Sequence, residues 1–304
     1  MNKQLLRKPF INVLFLSIFW AFQIFTAKLA YNEGAQAITF TVQTAFFAAI
    51  FLFIQLLIFK KNELRNIFNN KYLKWILLAN AIHFGIGGLS NNFGIANTSA
   101  VNAGFLVKLG MVTTILFAAY FLNERLTRAK LLAALIMLIG AYLISTQGKS
   151  IIPHWGDLFI LIACVAFSIG NIMVRKLTAG TEVSGELVAF LRPIAGIPVI
   201  ILFSLFSGFL PENIGRVLQL DLLNSTYFVY MVINGFFVAM LWTFLNRSLK
   251  YGTASYMTMM SSMTSIFVVI LALLLLGESL NYHQILGGTF IILATGITQV
   301  KMKI

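Results

Sequence analysis

One stretch of this chain occurs twice, and that repeat limits the architecture more than any other feature. Residues 98–146 begin TSAVNAGFLVKLGMVTTILFAAYFLNERL, and residues 252–300 begin GTASYMTMMSSMTSIFVVILALLLLGESL. Each reads as a long apolar helix, a short polar turn and a second apolar helix. Setting Glu124 against Glu278 fixes an offset of 154 residues, which also pairs Ala100 with Ala254, Ala118 with Ala272, Leu122 with Leu276 and Leu126 with Leu280. A fixed-offset similarity in 304 residues divides the chain into two related halves, 1–150 and 151–304. Repeats are settled before any other feature is read.

The apolar character of the repeat extends to the whole chain. Hydrophobic residues make up 59% and charged residues 10%, against about 25% charged in a soluble domain. There is too little polar surface here to cover a globule, so the expectation is an all-α membrane protein. A net charge of +13 would suggest nucleic acid in a soluble protein, but the basic residues lie in short loops between apolar runs. The single cysteine, Cys164, sits inside such a run, and no CxxC or zinc-ligand set is present. The run Phe10 to Ala30 follows Lys3, Arg7 and Lys8. It is too long for a signal-peptide core and lacks a small-residue cleavage site, so it reads as an uncleaved first span.

About 20 apolar residues cross the hydrocarbon core. That length places ten spans at 10–31, 37–59, 73–91, 97–121, 129–147, 156–175, 184–208, 226–247, 253–276 and 283–300. The longest connection, 209–225, reads either as a plain loop or as a surface helix with Ile214, Val217, Leu218 and Leu222 on one face. Placing the N-terminus inside puts seventeen of the 22 Lys and Arg residues in inside segments and only Lys149 and Arg216 outside. The positive-inside rule then sets both termini in the cytoplasm of a multi-pass protein of the cytoplasmic membrane. Five spans per half is odd, so the second half enters the membrane the other way up. An inverted repeat lets a central site open to either side in turn, as carriers require.

Ten spans in two fives, together with FLNERL at 121–126, LLGESL at 275–280, FWAFQIFTAK at 19–28 and GDLFILIACVAFS at 156–168, resemble the drug/metabolite transporter superfamily. Within it, the chain is similar to the EamA family of bacterial metabolite exporters. The resemblance covers the whole chain and implies a ten-span metabolite carrier. The family often has a proline about thirteen residues before each Glu; here Met111 and Ser265 stand at those places. A kink in either span would then come from Gly110 or from Ser/Thr back-bonding.

Charged groups at a span centre cost about 2.5–3.5 kcal/mol on insertion scales and mark function by default. Lys108 lies near the middle of the fourth span. Its repeat partner is Ser262, within the helical stripe Thr258, Ser261, Ser262 and Ser265, so two related positions share a polar face. This favours a cavity-lining Lys108 over a structural lysine bonded to backbone carbonyls. Arg192 in the seventh span, next to Pro193 and near Pro198, reads equally as a substrate group or as a brace on carbonyls that the prolines free. His83, with Asn80 one turn before it, is either a packing residue or a contact for substrate or a proton. Lys28 is close enough to the surface to snorkel. Asn102 and Trp242 complete the candidate substrate site. Gln23, Thr26, Asn171, Asn234 and Asn246 are weaker candidates, since interhelical hydrogen bonds account for them as well. Phe105 and Met257, Met259, Met260 and Met263 are candidates for an adaptable apolar wall, with bundle packing the plainer reading.

The glycine-rich GIGGLSNNFG at 85–94 follows an apolar span and not a strand, so it is no nucleotide loop. Its glycines are expected to allow close packing and to end the third span. All nine acids fall in loops or at span ends, none at a midplane. No catalytic, metal or cofactor constellation stands out. The expected function is transport of a small metabolite, with a lipid-modifying enzyme or scaffold as the competing class. The expected partners are a small molecule and the bilayer, without nucleic acid, for a monomer or weak homodimer.

Overall fold

The computed structural model describes residues 9–98, 105–206, 226–276 and 281–301. Asn102, Glu278 and the whole 209–225 connection lie outside them, as do the basic residues of the first eight positions. The described residues form helices and contain no strand. These are α1 (Pro9–Asn32), α2 (Ala37–Phe59), α3 (Leu73–Asn80, Ala81–Gly88 and Leu89–Ala96 in succession) and α4 (Val107–Leu109 running into Gly110–Leu122). The chain continues through α5 (Arg128–Thr146), α6 (Gly156–Thr178), α7 (Gly185–Leu205) and α8 (Phe228–Tyr251). It ends with α9 (Ala254–Met260 and Met263–Leu276) and α10 (Tyr282–Lys301). Among the described residues, eight of these are long and apolar enough to cross a membrane, while Val107–Leu122 and Tyr282–Ile297 are shorter apolar helices. The fourth expected span is short because residues 99–104 of it fall outside the described residues.

Three helices are irregular. The middle of α3, Ala81–Gly88, is π-helical, a form found mostly as single wide turns at functional sites. Its glycines do allow close packing: a Cβ on Gly85 would come 2.7 Å from Val199 Cβ on α7, and one on Gly87 2.7 Å from the Phe167 ring on α6. They do not end the helix, which continues to Ala96, because the wide turn keeps the backbone bonded where a loop was expected. The other two irregularities are breaks at repeat-related places. α4 enters through a tight 3₁₀ turn at Val107–Leu109, and α9 is interrupted at Ser261–Ser262. With no proline in either, the break in α4 abuts Gly110. In α9 the Ser261 hydroxyl donates to the Thr258 carbonyl at 2.7 Å, withdrawing that carbonyl from the regular ladder.

The bundle is stitched by side chains of every kind. α1 lies along α8 through Phe15–Phe244 and Phe22–Phe237 stacks, with ring centres 5.0 and 5.1 Å apart. α4 is tied to α6 by Ser168, whose hydroxyl meets those of Thr113 at 2.6 Å and Thr114 at 2.9 Å. α5 and α10 pack closely on each other where Gly140 and Gly287 meet, since a Cβ on either would fall within 2.6 Å of the other's carbonyl oxygen. Small residues at such crossings let backbones approach in a bilayer. The outer surface carries large apolar side chains such as Phe46, Ile58, Leu135 and Leu274, each more than half exposed, as a lipid-facing surface requires.

Candidate functional site

A cavity of about 300 Å³ lies inside the bundle, at the level of the irregular turns. Lys108 lines it from the 3₁₀ turn of α4, and His83, Phe84 and Gly88 line it from the π-helical stretch of α3. Thr258, Ser261 and Ser262 line it from the interruption of α9. Each local break in helical regularity therefore presents polar groups to the same space. Trp20 and Gln23 of α1, Thr41 and Thr44 of α2, Asn91 and Asn92 of α3, Asn171 of α6 and Asn234 of α8 add further polar or aromatic lining. Exposed Tyr31 also lines the cavity, near the 33–36 turn, while its other lining residues are buried or half-buried.

The opposite, basic face is shut by charge-assisted hydrogen bonds. A left-handed Asn123 (φ 54°) ends α4 and turns Glu124 toward the start of α9. There the Glu124 carboxylate accepts from the backbone N–H groups of Ala254 at 2.8 Å and Ser255 at 3.2 Å. Lys130 Nζ stands 3.6 Å from the same carboxylate. Thr253 caps the next free N–H, that of Tyr256, so the first turn of α9 is fully satisfied. Nearby, Arg247 is paired with Glu186 at 2.5 Å. Arg175 donates to the Leu249 and Lys250 carbonyls, both at 2.8 Å, and Lys250 to those of Thr181 and Val183.

Lys108 is half-buried, with its ammonium 5.7 Å from the centre of the Trp20 ring. It has no hydrogen-bond or ion-pair partner among the described residues. Arg192 is fully buried and does brace the bundle, but not through proline-freed carbonyls. Its Nε donates to Asn80 Oδ1 at 3.2 Å and its Nη2 to Asn246 Oδ1 at 3.1 Å, while its guanidinium carbon lies 5.7 Å from the Trp242 ring centre. Asn80 Nδ2 also donates to the Val188 carbonyl at 3.0 Å, tying α3 to α7. Nη1 is left without a partner, and Arg192 lines the cavity.

His83 packs its ring 4.9 Å from that of Phe167. Asn171 stands beside it, yet His83 Nδ1 and Asn171 Oδ1 have no well-formed hydrogen bond. Trp242 meets Phe84 edge-to-face at 5.0 Å in the cavity wall. Ser265, one turn beyond Ser262, is not among the lining residues; the break at Ser261–Ser262 takes it off the shared stripe. Met257 lines the cavity, as does Met111 of α4, while Met259 and Met260 are fully buried in the bundle and Met263 is packed against the core. Phe105 packs against Tyr142 instead. Thr26 is held by Asn234 at 2.6 Å. Trp20, Tyr31, Thr41, Thr44, Asn91 and Asn92 line the cavity without having stood out in sequence. The run SNN at 90–92 was the available signal, placed just past a glycine-rich segment.

Among the described residues no acid lines this space. What the arrangement offers is a cationic and amide-rich interior with aromatic walls, of a size for a small solute. The model of the EamA-like transporter family matches residues 7–146 and again 154–299. The chain belongs to the EamA-like transporter family. It is a multi-pass membrane transporter. An uncharacterized transporter of Clostridium kluyveri is 22% identical to it over 98% of this chain and 95% of the relative. A solved crystal structure shares the fold, with a TM-score of 0.75 at 16% identity over 96% of both chains. Membership of this EamA-like family points to transport and away from the competing lipid-modifying enzyme or scaffold.

Proposed function

We propose that this EamA-like transporter moves a small carboxylate-bearing metabolite, amino-acid-like or related, across the cytoplasmic membrane by alternating access, in the direction of export. Ten spans in two inverted halves provide the frame, with the basic face and both termini in the cytoplasm. The repeated family match and the paired breaks at Lys108 and Ser262 support that frame. The cavity's charge carries the substrate reading. Lys108 and Arg192 share an interior with no lining acid among the described residues, and unpaired cations at low dielectric are best satisfied by an anionic group. The anionic end of the solute meets Lys108, which has no partner of its own. The aromatic walls formed by Trp20, Phe84 and Trp242 take its apolar body.

A thermal-shift screen of metabolites on the purified protein, repeated on Lys108→Ala, tests this. Carboxylates are expected to stabilise the wild type and not the variant. Equal stabilisation of both proteins by neutral or cationic compounds would remove Lys108 from the binding role.

A further inference from the structure

The way Arg192 is held bears on how many charges the solute carries. Its Asn80, Asn246 and Trp242 partners fix the plane and direction of the guanidinium, but all are neutral. A guanidinium stays charged at any physiological pH, so its charge reaches the cavity wall uncompensated, with Nη1 the one nitrogen left without a partner and both of its N–H bonds unused. Two asparagines spent on orienting one fully buried arginine is an arrangement for presenting that donor, because a buried donor without an acceptor is unfavourable. Lys108 supplies a second cation to the same cavity and likewise has no acid opposite it. A monoanion entering an enclosed site would neutralise one of the two and leave the other stranded.

We infer that the cavity takes a solute carrying two anionic groups, a dicarboxylate, with one carboxylate on Lys108 and the other accepting from Arg192 Nη1. This rests on the proposed role of Lys108 as an anion contact and adds Arg192 as the second anchor. Asn80 and Asn246 are positioning residues. The cationic sites are on different helices, α4 and α7, so the spacing of the two carboxylates is a selectivity element.

The test compares binding of a dicarboxylate with that of its half-amide and of the monocarboxylate of equal chain length, with inorganic phosphate as a separate arm. Purified wild type and Asn246→Asp are used, the aspartate giving Arg192 an internal counter-ion in nearly the same volume. The dicarboxylate should bind wild type more tightly than either analogue by on the order of tenfold or more, the scale of one charge-assisted hydrogen bond. In Asn246→Asp that preference should collapse while monocarboxylate binding persists. Should this variant fail to fold, Asn80→Asp delivers the same charge from α3, and the wild-type comparison stands by itself. Equal binding of dicarboxylate and monocarboxylate, or a preference that survives the aspartate, would overturn the inference and leave the Lys108 reading intact. Binding of phosphate without dicarboxylates would overturn the assignment to carboxylates. Absence of any anion binding would remove both readings together.

Discussion

Arg192 and Lys108 face one cavity, but the bundle depends on them differently. Arg192 bridges α3, α7 and α8, so Arg192→Ala strands two buried amide oxygens and leaves a void beside Trp242. A destabilisation of about 2–5 kcal/mol is expected, read as a clear drop in melting temperature of the purified protein. Among the described residues, Lys108 makes a cation–π contact with the Trp20 ring and no hydrogen bond or ion pair. Lys108→Ala should therefore keep its thermal stability within about 2 kcal/mol of wild type, since the lost cation–π contact is offset by removal of an unpaired interior cation, while losing its response to carboxylates. Comparable melting losses in both variants would make Lys108 a structural residue. The depth of Lys108 and its repeat partner were legible in the sequence because a charge in a long apolar run stands out. The Asn80–Arg192–Asn246 clamp was not, because its members lie 112 and 54 residues apart and asparagines in spans serve packing equally well.

Helix existence was legible from apolar length, and the irregularities were only partly so. The break in α4 abuts Gly110 and that in α9 falls at Ser261–Ser262, so a glycine and a back-bonding serine accompany breaks that no proline makes. The π-helical turn of α3 has no sequence signature beyond its glycines, and a glycine-rich run looks the same whether it ends a helix or widens it. The turn after α4 shows how a family motif acts physically. Glu124 of FLNERL joins the end of α4 to the first turn of α9 at the basic face, the position a latch would take in the proposed alternating access. An N-cap carboxylate contributes about 0.5–2 kcal/mol, enough to shift a two-state equilibrium by up to about thirtyfold. Glu124→Ala should then raise the labelling rate of Thr258→Cys by an impermeant thiol reagent applied from the basic face several-fold. An unchanged rate would mean that the face is held by the Arg247–Glu186 and Arg175 contacts without help from Glu124.

For the whole molecule, the distribution of acids bears on how the proposed transport would be driven. Three carboxylate–cation pairs lie at the basic face: Glu124 with Lys130, Glu186 with Arg247, and Glu63 with Lys60. They hold the bundle's end together and leave the cavity without an acid among its described lining residues. Proton coupling by a carrier ordinarily uses a titratable group in the pathway that solute and proton occupy in turn. The only such group here besides the two cations and Tyr31 is His83, whose ring is packed against Phe167. The expected mode is facilitated diffusion or exchange down the solute's own gradient. In proteoliposomes carrying solute on one side, uptake or counterflow should continue when an ionophore collapses the proton gradient, and His83→Gln should leave its rate within about a factor of a few of wild type, as for a packing substitution of similar size. A strict dependence on the proton gradient that vanishes in His83→Gln would make His83 the coupling residue. A dependence that survives that substitution would place the proton on a group outside this cavity and break the link between its acid-free lining and the energetics of transport.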